Sequence, residues 1–161
     1  MKAPPQFDSL DGSGLRVAIV AALFNGATTD SLVKWCREGL VRRGVAEGDL
    51  TIEWVPGAFE LPLAAKALAE SGRVDAVVCL GAVIRGDTAH FDFVAGEAAR
   101  GIREVSLTTG VPVMFGVLTT DTVEQAEERS RDDETNKGFE AAEGAIHMAL
   151  LLRRLRSKGD E

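Results

Sequence analysis

The stretch RGDTAH, residues 85–90, combines residue types that could move a proton beside a bound anion. His90 is one of only two histidines in the chain, and a neutral imidazole can exchange protons near neutral pH. Gly86 lets the backbone come close to a ligand, and free amide groups at the start of a helix suit a phosphate. The alternative is a simple strand-to-helix turn, in which Asp87 or Thr88 caps the helix and a backbone carbonyl satisfies His90.

Candidate binding residues follow the other apolar runs of the chain. Phe24 and Phe59 could enclose a planar ring, and Glu60 would place a carboxylate at the start of a helix. Arg129 and Lys137 belong to the main basic cluster of the chain. The alternatives are that both rings belong to the core, that the carboxylate only caps its helix, and that the basic residues are a solvated charge run.

Four apolar runs and the amphipathic segments between them predict the elements that carry these residues. Apolar, β-branched runs predict buried strands, and apolar residues at helical spacing predict helices. The strands are expected at 15–24, 51–55, 74–84 and 111–118. The helices are expected at 30–43, 59–70, 91–108, 122–129 and 137–156.

Buried strands that alternate with helices predict a parallel sheet covered on both faces. The expected fold is therefore α/β, a three-layer α/β/α sandwich with a four-stranded parallel sheet of the flavodoxin-like type. Ligands of such folds bind beyond the carboxyl ends of the strands, where the loops with the candidate residues fall. We assign residues 15–156 to a single domain, 1–14 to an amino-terminal tail and 157–161 to a carboxyl-terminal tail.

Composition and charge narrow the classes of partner. The net charge of −7 argues against nucleic acid and against an anionic membrane surface, because both attract basic proteins. The longest apolar runs are shorter than a membrane-spanning helix, and the first residues do not resemble a signal peptide. Cys36 and Cys79 lack metal-ligand spacing and are expected to be buried thiols of a reducing compartment. We therefore expect a cytoplasmic protein.

Five blocks of sequence stand in order and with natural spacing: Phe24-Asn25, WVPGAFELP at 54–62, GAVIRGDTAHFDFV at 81–94, TGVPVMFGVLTTDTVEQAEER at 109–129 and NKGFEAA at 136–142. Together they resemble the lumazine synthases, enzymes of the riboflavin pathway. The resemblance runs from about Leu15 to Leu155. The fold of that family is the sandwich inferred above.

The resemblance implies the condensation of 5-amino-6-(D-ribitylamino)uracil with 3,4-dihydroxy-2-butanone 4-phosphate. The product would be 6,7-dimethyl-8-ribityllumazine, formed with loss of phosphate and water in the penultimate step of riboflavin biosynthesis. The enzyme would be a transferase that uses no metal and no organic cofactor. His90 would shuttle protons during imine formation and phosphate elimination.

The resemblance also implies binding roles for residues of this chain. Phe24 would stack on the pyrimidine ring, and Arg129 would pair with the phosphate. Gly86, Asp87 and Thr88 would cradle that phosphate with backbone amides and a hydroxyl. The remaining residues would line the pocket for the ribityl chain and the ring: Ala58, Phe59, Glu60, Val83, Ile84, Phe115 and Lys137.

Members of this family work as oligomers, so the resemblance implies a pentamer whose sites lie between subunits. Phe115 and Arg129 would reach the site from a neighbouring subunit, and some members pack their pentamers into an icosahedral capsid. The segment between Arg129 and Asn136 has the same length as in the capsid-forming members, which favours a capsid. Its lack of glycine and the pair Pro4-Pro5 in the tail favour a free pentamer. Riboflavin synthase is considered as a further partner.

Three other functions fit parts of the pattern. A flavodoxin-like module that only binds flavin or ribityl compounds would need the two aromatic rings and Glu60, but not His90 together with Arg129. A Schiff-base enzyme would use Lys137 as its nucleophile. A compartment shell is the third, and it is compatible with catalysis.

Overall fold

A four-stranded parallel sheet forms the centre of the computed structural model, which describes residues 10–157. The strands are β1 (Val17–Ala22), β2 (Leu50–Val55), β3 (Ala76–Ile84) and β4 (Val113–Thr120), in the spatial order β2-β1-β3-β4. Pro4, Pro5 and residues 158–161 lie outside the described residues. The expectations about the two tails at those positions stay predictions.

Helices cover both faces of this sheet. They are α1 (Gly26–Arg42), α2 (Leu61–Glu70), α3 (His90–Thr109), α4 (Val123–Arg129) and α5 (Lys137–Ser157). Residues of α1, α4 and α5 share one core with the sheet, and residues of α2 and α3 share the other. The three-layer α/β/α sandwich of the flavodoxin-like type is confirmed. No helix within residues 10–157 is long and apolar enough to cross a membrane.

The central strand β1 is buried along its whole length, as its continuous apolar run predicts. Val17 and Ile19 pack in the core beneath α1 and α5, whereas Val20 and Ala22 pack in the core beneath α2 and α3. Full burial of a Val, Leu or Ile side chain contributes about 1.5–3 kcal/mol relative to exposure. The apolar alternation along this strand therefore stabilises both layers of helix against the sheet.

The element boundaries lie within two residues of the expected ones except at the start of α1, and the differences at α1, α2 and β4 have structural explanations. The helix α1 begins at Gly26 rather than residue 30, because Asn25 adopts a left-handed conformation (φ 59°) that turns the chain directly out of β1. The helix α2 is preceded by a separate 3-10 turn, Ala58–Glu60. The strand β4 covers residues 113–120 rather than 111–118, because its pairing with β3 continues to Thr120, and Pro112 has no N–H for the ladder.

Residues 10–14, which the sequence assigns to the amino-terminal tail, pack against the turn that follows α1. Gly12 is buried, and its N–H donates to the Arg43 carbonyl oxygen over 2.6 Å. A Cβ at this position would lie 2.7 Å from Val45, so the close approach requires glycine. This short segment closes one end of the core beneath α1 and α5.

The segment between α4 and α5, residues 130–136, contains no glycine, and its polar side chains bind it to α1. Lys34 Nζ and Trp35 Nε1 lie 2.6 Å and 2.9 Å from Asp132 Oδ1. These two hydrogen bonds hold the pKa of the Asp132 carboxyl below its usual value. Arg42 Nη1 also lies 2.6 Å from Glu134 Oε1. The polar composition that the sequence shows here thus serves as an anchor to the neighbouring helix.

Candidate active site

A cleft of about 660 Å³ lies at the carboxyl edge of the sheet, where the loops after β1, β2 and β3 meet. We call it the ring cleft because aromatic rings form much of its wall. Its size falls in the range of clefts that bind metabolites. Most of the candidates from the sequence line it: Phe24, Ala58, Phe59, Glu60, Val83, Ile84, Gly86, Thr88 and His90.

Two phenylalanines present exposed rings to the ring cleft. Phe24 is 73% exposed and Phe59 is 60% exposed, so neither belongs to the core. The Phe24 N–H donates to the Pro56 carbonyl oxygen over 3.1 Å, which joins the loop after β1 to the loop after β2. Exposing large apolar rings is unfavourable in water, so their position at a cleft indicates a surface for a flat ligand.

Glu60 ends the 3-10 turn and presents a carboxylate at the same cleft. Its backbone N–H donates to the Gly57 carbonyl oxygen over 3.2 Å, and its side chain does not cap α2. Among residues 10–157 the carboxylate has neither a hydrogen-bond partner nor an ion-pair partner. It is therefore free to accept hydrogen bonds from hydroxyl or N–H groups of a ligand.

The loop between β3 and α3 offers unpaired backbone amides. Within the described part of the chain, the N–H groups of Gly86, Asp87 and Thr88 donate to no other atom. Asp87 does not cap α3, whereas the Thr88 hydroxyl accepts a hydrogen bond from the His90 N–H over 3.3 Å. Unpaired amides that precede a helix of this length form a favourable environment for an anion.

His90 is the first residue of α3 and lines the ring cleft with an exposed side chain. In the part of the chain that the structure describes, its imidazole makes no hydrogen bond and no ion pair. A backbone carbonyl therefore does not satisfy this ring, in contrast to the alternative that the sequence left open. Both ring nitrogens are available to a ligand, so the imidazole can exchange protons with a substrate.

Asp87 does not line the ring cleft. The other three candidates line a second cleft of about 500 Å³, which we call the cation cleft. It lies along β4 and α5 and contains Phe115, Arg129 and Lys137. The clefts share no lining residue. One chain therefore brings together the imidazole and most of the aromatic rings in one place, and the basic groups with Phe115 in another.

The two basic groups of the cation cleft have different partners. Lys137 Nζ lies 2.8 Å from Glu140 Oε2, so its ammonium group is already paired with a carboxylate. Arg129 Nη1 donates to the Gln125 carbonyl oxygen over 3.1 Å and has no carboxylate partner within residues 10–157. Arg129 is thus the cation with more capacity to bind an anion.

The ring cleft also contains residues to which the sequence assigned no role. Phe91 and Phe93 add two aromatic rings to its wall, and Asn25 lines it next to Phe24. A helical period places residues 90, 91 and 94 toward one side of the first turn, which is a signal that could have identified Phe91. The left-handed conformation of Asn25 has a weaker signal, the tendency of asparagine to adopt it.

No described group of His, Cys, Asp and Glu side chains has the arrangement of a metal site. Cys36 and Cys79 are buried and unpaired, as expected. Burial raises the pKa of the Cys79 thiol to about 12 and also raises the pKa of the Cys36 thiol. Both cysteines are therefore packing residues rather than reactive groups.

A flavodoxin-like α/β sandwich with aromatic rings, an unpaired imidazole and free amides at its carboxyl edge defines a class of small-molecule-binding α/β proteins. Comparison with known proteins gives the family within that class. The family model described as 6,7-dimethyl-8-ribityllumazine synthase matches residues 14–153, and the chain belongs to this family. It is an enzyme of riboflavin biosynthesis, a transferase that acts on small molecules.

Proposed function

We propose that the protein condenses 5-amino-6-(D-ribitylamino)uracil with 3,4-dihydroxy-2-butanone 4-phosphate to give 6,7-dimethyl-8-ribityllumazine, phosphate and water. The observation that carries the proposal is the content of the ring cleft. It joins exposed aromatic rings, an unbonded His90 imidazole and a loop of free amides. A ring-bearing amine and a phosphorylated ketone need these three kinds of group in one place.

The ribitylaminouracil binds against the aromatic wall of the ring cleft. The Phe24 ring stacks on the pyrimidine, and the turn from Ala58 to Glu60 holds the ribityl hydroxyls and the edge of the ring. Val83 and Ile84, at the end of β3, form the apolar side. The free Glu60 carboxylate is matched to this substrate, because ribityl hydroxyls and ring N–H groups are hydrogen-bond donors.

The phosphate binds at the loop of residues 86–88. The amides of Gly86, Asp87 and Thr88 donate to its oxygens, together with the Thr88 hydroxyl. Arg129 supplies the compensating charge, because its guanidinium has no carboxylate partner in the described chain. Charge-assisted hydrogen bonds of this kind contribute about 1.5–3 kcal/mol each.

His90 transfers the protons of the reaction. Attack of the ring amine on the ketone forms a carbinolamine, and protonation of its hydroxyl releases water and leaves an imine. His90 then accepts the proton from the carbon next to the imine, and the electron pair of that C–H bond expels the phosphate. Tautomerisation and attack of the second amine close the ring with loss of further water. An imidazole can both donate and accept a proton, which suits these transfers.

The site is completed between two copies of the chain. Arg129 and Phe115 lie in the cation cleft, so they reach a phosphate in the ring cleft most simply from a neighbouring subunit. We propose a pentamer with this shared site, either free or packed into an icosahedral capsid, working in the cytoplasm and supplying riboflavin synthase. Light scattering during size exclusion tests this arrangement. An active species near the chain mass of 17.1 kDa would contradict it.

Mixing the protein with both substrates and following the absorbance and fluorescence of the lumazine tests the reaction itself. The condensation also proceeds without an enzyme, so the spontaneous rate under the same conditions is the control. Addition of borohydride examines Lys137 as a Schiff-base nucleophile, because reduction would leave the substrate attached to the protein. A rate equal to the spontaneous one would refute the proposed activity.

A further inference from the structure

We propose that Arg85 is a positioning residue of this active site. It holds the loop of residues 86–90 in the shape that binds the phosphate. The inference rests on the proposed function. Arg85 does not line either cleft, and nothing in the reaction requires it to touch a substrate. Its side chain connects three parts of the chain that flank the loop.

The guanidinium of Arg85 bridges two carboxylates. Nε lies 2.9 Å from Asp121 Oδ1, in the turn after β4, and Nη1 lies 3.3 Å from Asp92 Oδ1, in the first turn of α3. The backbone N–H of Arg85 also donates to the Thr120 carbonyl oxygen over 2.8 Å. One residue thus ties the end of β3 both to the end of β4 and to the start of α3.

The same guanidinium stacks on an aromatic ring of the ring cleft. Its Cζ lies 4.3 Å from the centroid of Phe91, and Phe91 lines the cleft next to His90. A planar cation over a ring restricts the orientation of that ring. Arg85 therefore fixes one wall of the cleft from behind.

The loop itself has little support of its own. Residues 86–89 are all exposed, and no atom lies within 4 Å of the position that a Cβ would take at Gly86. The hydrogen bond from the His90 N–H to the Thr88 hydroxyl is its internal contact. The shape of the loop is therefore determined by its two ends, and Arg85 holds both of them.

Charge and geometry make separate contributions at Arg85. The guanidinium carries one positive charge and pairs with the carboxylates of Asp92 and Asp121, one on each side of the loop. Lysine would keep the charge, but it could not make two directed hydrogen bonds and stack on Phe91 at the same time. Replacement by lysine therefore isolates the positioning role, whereas replacement by glutamine removes both contributions.

Steady-state kinetics of Arg85→Lys and Arg85→Gln test the inference. For Arg85→Lys we expect the KM of the butanone phosphate to rise about tenfold, the effect of one lost charge-assisted hydrogen bond, with little change in the KM of the ribitylaminouracil. Arg85→Gln should raise the first KM further. Arg37→Lys is the matched control, because Arg37 is similarly exposed and ion-paired, but its partner Glu47 precedes the start of β2 and does not flank the loop of residues 86–90.

Two results would overturn the inference while the proposed function stands. They are Arg85→Lys kinetics identical to those of the wild type, and equal increases in both KM values with an unfolding temperature below that of the Arg37→Lys control. An inactive wild-type protein would instead refute the proposed function, and this inference with it. A selective rise in the KM of the butanone phosphate at an unchanged unfolding temperature would support it.

Discussion

Asn25 Nδ2 lies 2.8 Å from the carbonyl oxygen of Ala82, so the residue that follows the exposed Phe24 is tied to the neighbouring strand β3. Asn25 is also the one non-glycine residue of positive φ among residues 10–157. Its side chain makes no cap hydrogen bond to α1. The hydrogen bond thus stabilises the turn that presents the Phe24 ring to the cleft.

Replacement of Asn25 should reverse the usual order of helix propensity. Asn25→Gly loses the hydrogen bond, a cost of about 0.5–1.5 kcal/mol, but keeps the left-handed backbone. Asn25→Ala also pays about 1–2 kcal/mol for that backbone. The free energy of unfolding in urea should therefore be lower for the alanine variant than for the glycine variant. Equal or opposite values would show that the left-handed backbone at position 25 carries no penalty for alanine.

Replacement of His90, the proposed proton-transfer group, should slow the chemical step and leave binding nearly intact. For His90→Ala we expect turnover at saturating substrate to fall about tenfold or more, with KM values close to those of the wild type. Water can replace a base at an exposed position, which limits the loss. Added imidazole should restore part of the rate. An unchanged saturating rate would exclude proton transfer by His90.

Arg129→Ala should weaken the binding of the butanone phosphate far more than the binding of the ribitylaminouracil. Loss of a charge-assisted contact of about 1.5–3 kcal/mol corresponds to roughly a 10- to 150-fold higher KM for the butanone phosphate. Arg131→Ala is the matched control, since Arg131 is exposed nearby and its contact with Glu128 is long, at 4.0 Å. Equal losses for both substrates would point to a folding or assembly defect.

Two impaired variants should complement one another if the site is shared between chains. Co-expression of His90→Ala with Arg129→Ala would place the intact ring cleft of one chain against the intact cation cleft of another at about a quarter of the interfaces in a randomly mixed ring. At low butanone phosphate, the mixture should exceed the mean activity of the two variants. Activity at that mean would show that both residues act within one chain.

The buried cysteines should be unreactive until the protein unfolds. Burial raises the pKa of Cys79 to about 12, so its thiol stays protonated in the folded state at pH values where an unfolded thiol ionises. Alkylation at mild alkaline pH should modify neither Cys79 nor Cys36 in native protein and both in denaturant, as read by mass spectrometry. Because the folded pKa is raised, stability should fall as the pH rises above about 8.5. Rapid native labelling would contradict this account.

The layers of the fold could be predicted from the sequence because the hydrophobic pattern of a single segment indicates which of its residues are buried. The apolar residues of β1 alternate between two cores, and such a run has no stable place at a surface. The position of the site at the carboxyl edge follows from the direction of parallel strands. These features need only local pattern and general topology.

The features that escaped the sequence depend on contacts between distant residues or on one backbone angle. The helix α1 starts four residues before the predicted position because Asn25 turns the chain, and the residues that follow carry no pattern that predicts this start. The separation of Lys137 from His90 depends on where β4 lies in the sheet and on how α5 packs against it. In the sequence, Arg85 is only the residue at the end of a predicted strand. Its hydrogen bonds to Asp121 and Asp92 join segments that are distant in the sequence or lie beyond the following loop, so they become visible only in the structure.

The division of functional groups between the ring cleft and the cation cleft has a genetic consequence. If each catalytic unit draws one cleft from each of two chains, an allele damaged in the ring cleft and an allele damaged in the cation cleft are not equivalent lesions. A cell that carries both would keep some intact units, whereas a cell with either allele alone would keep none. Riboflavin auxotrophy caused by such alleles should therefore fall into two complementation groups within a single gene.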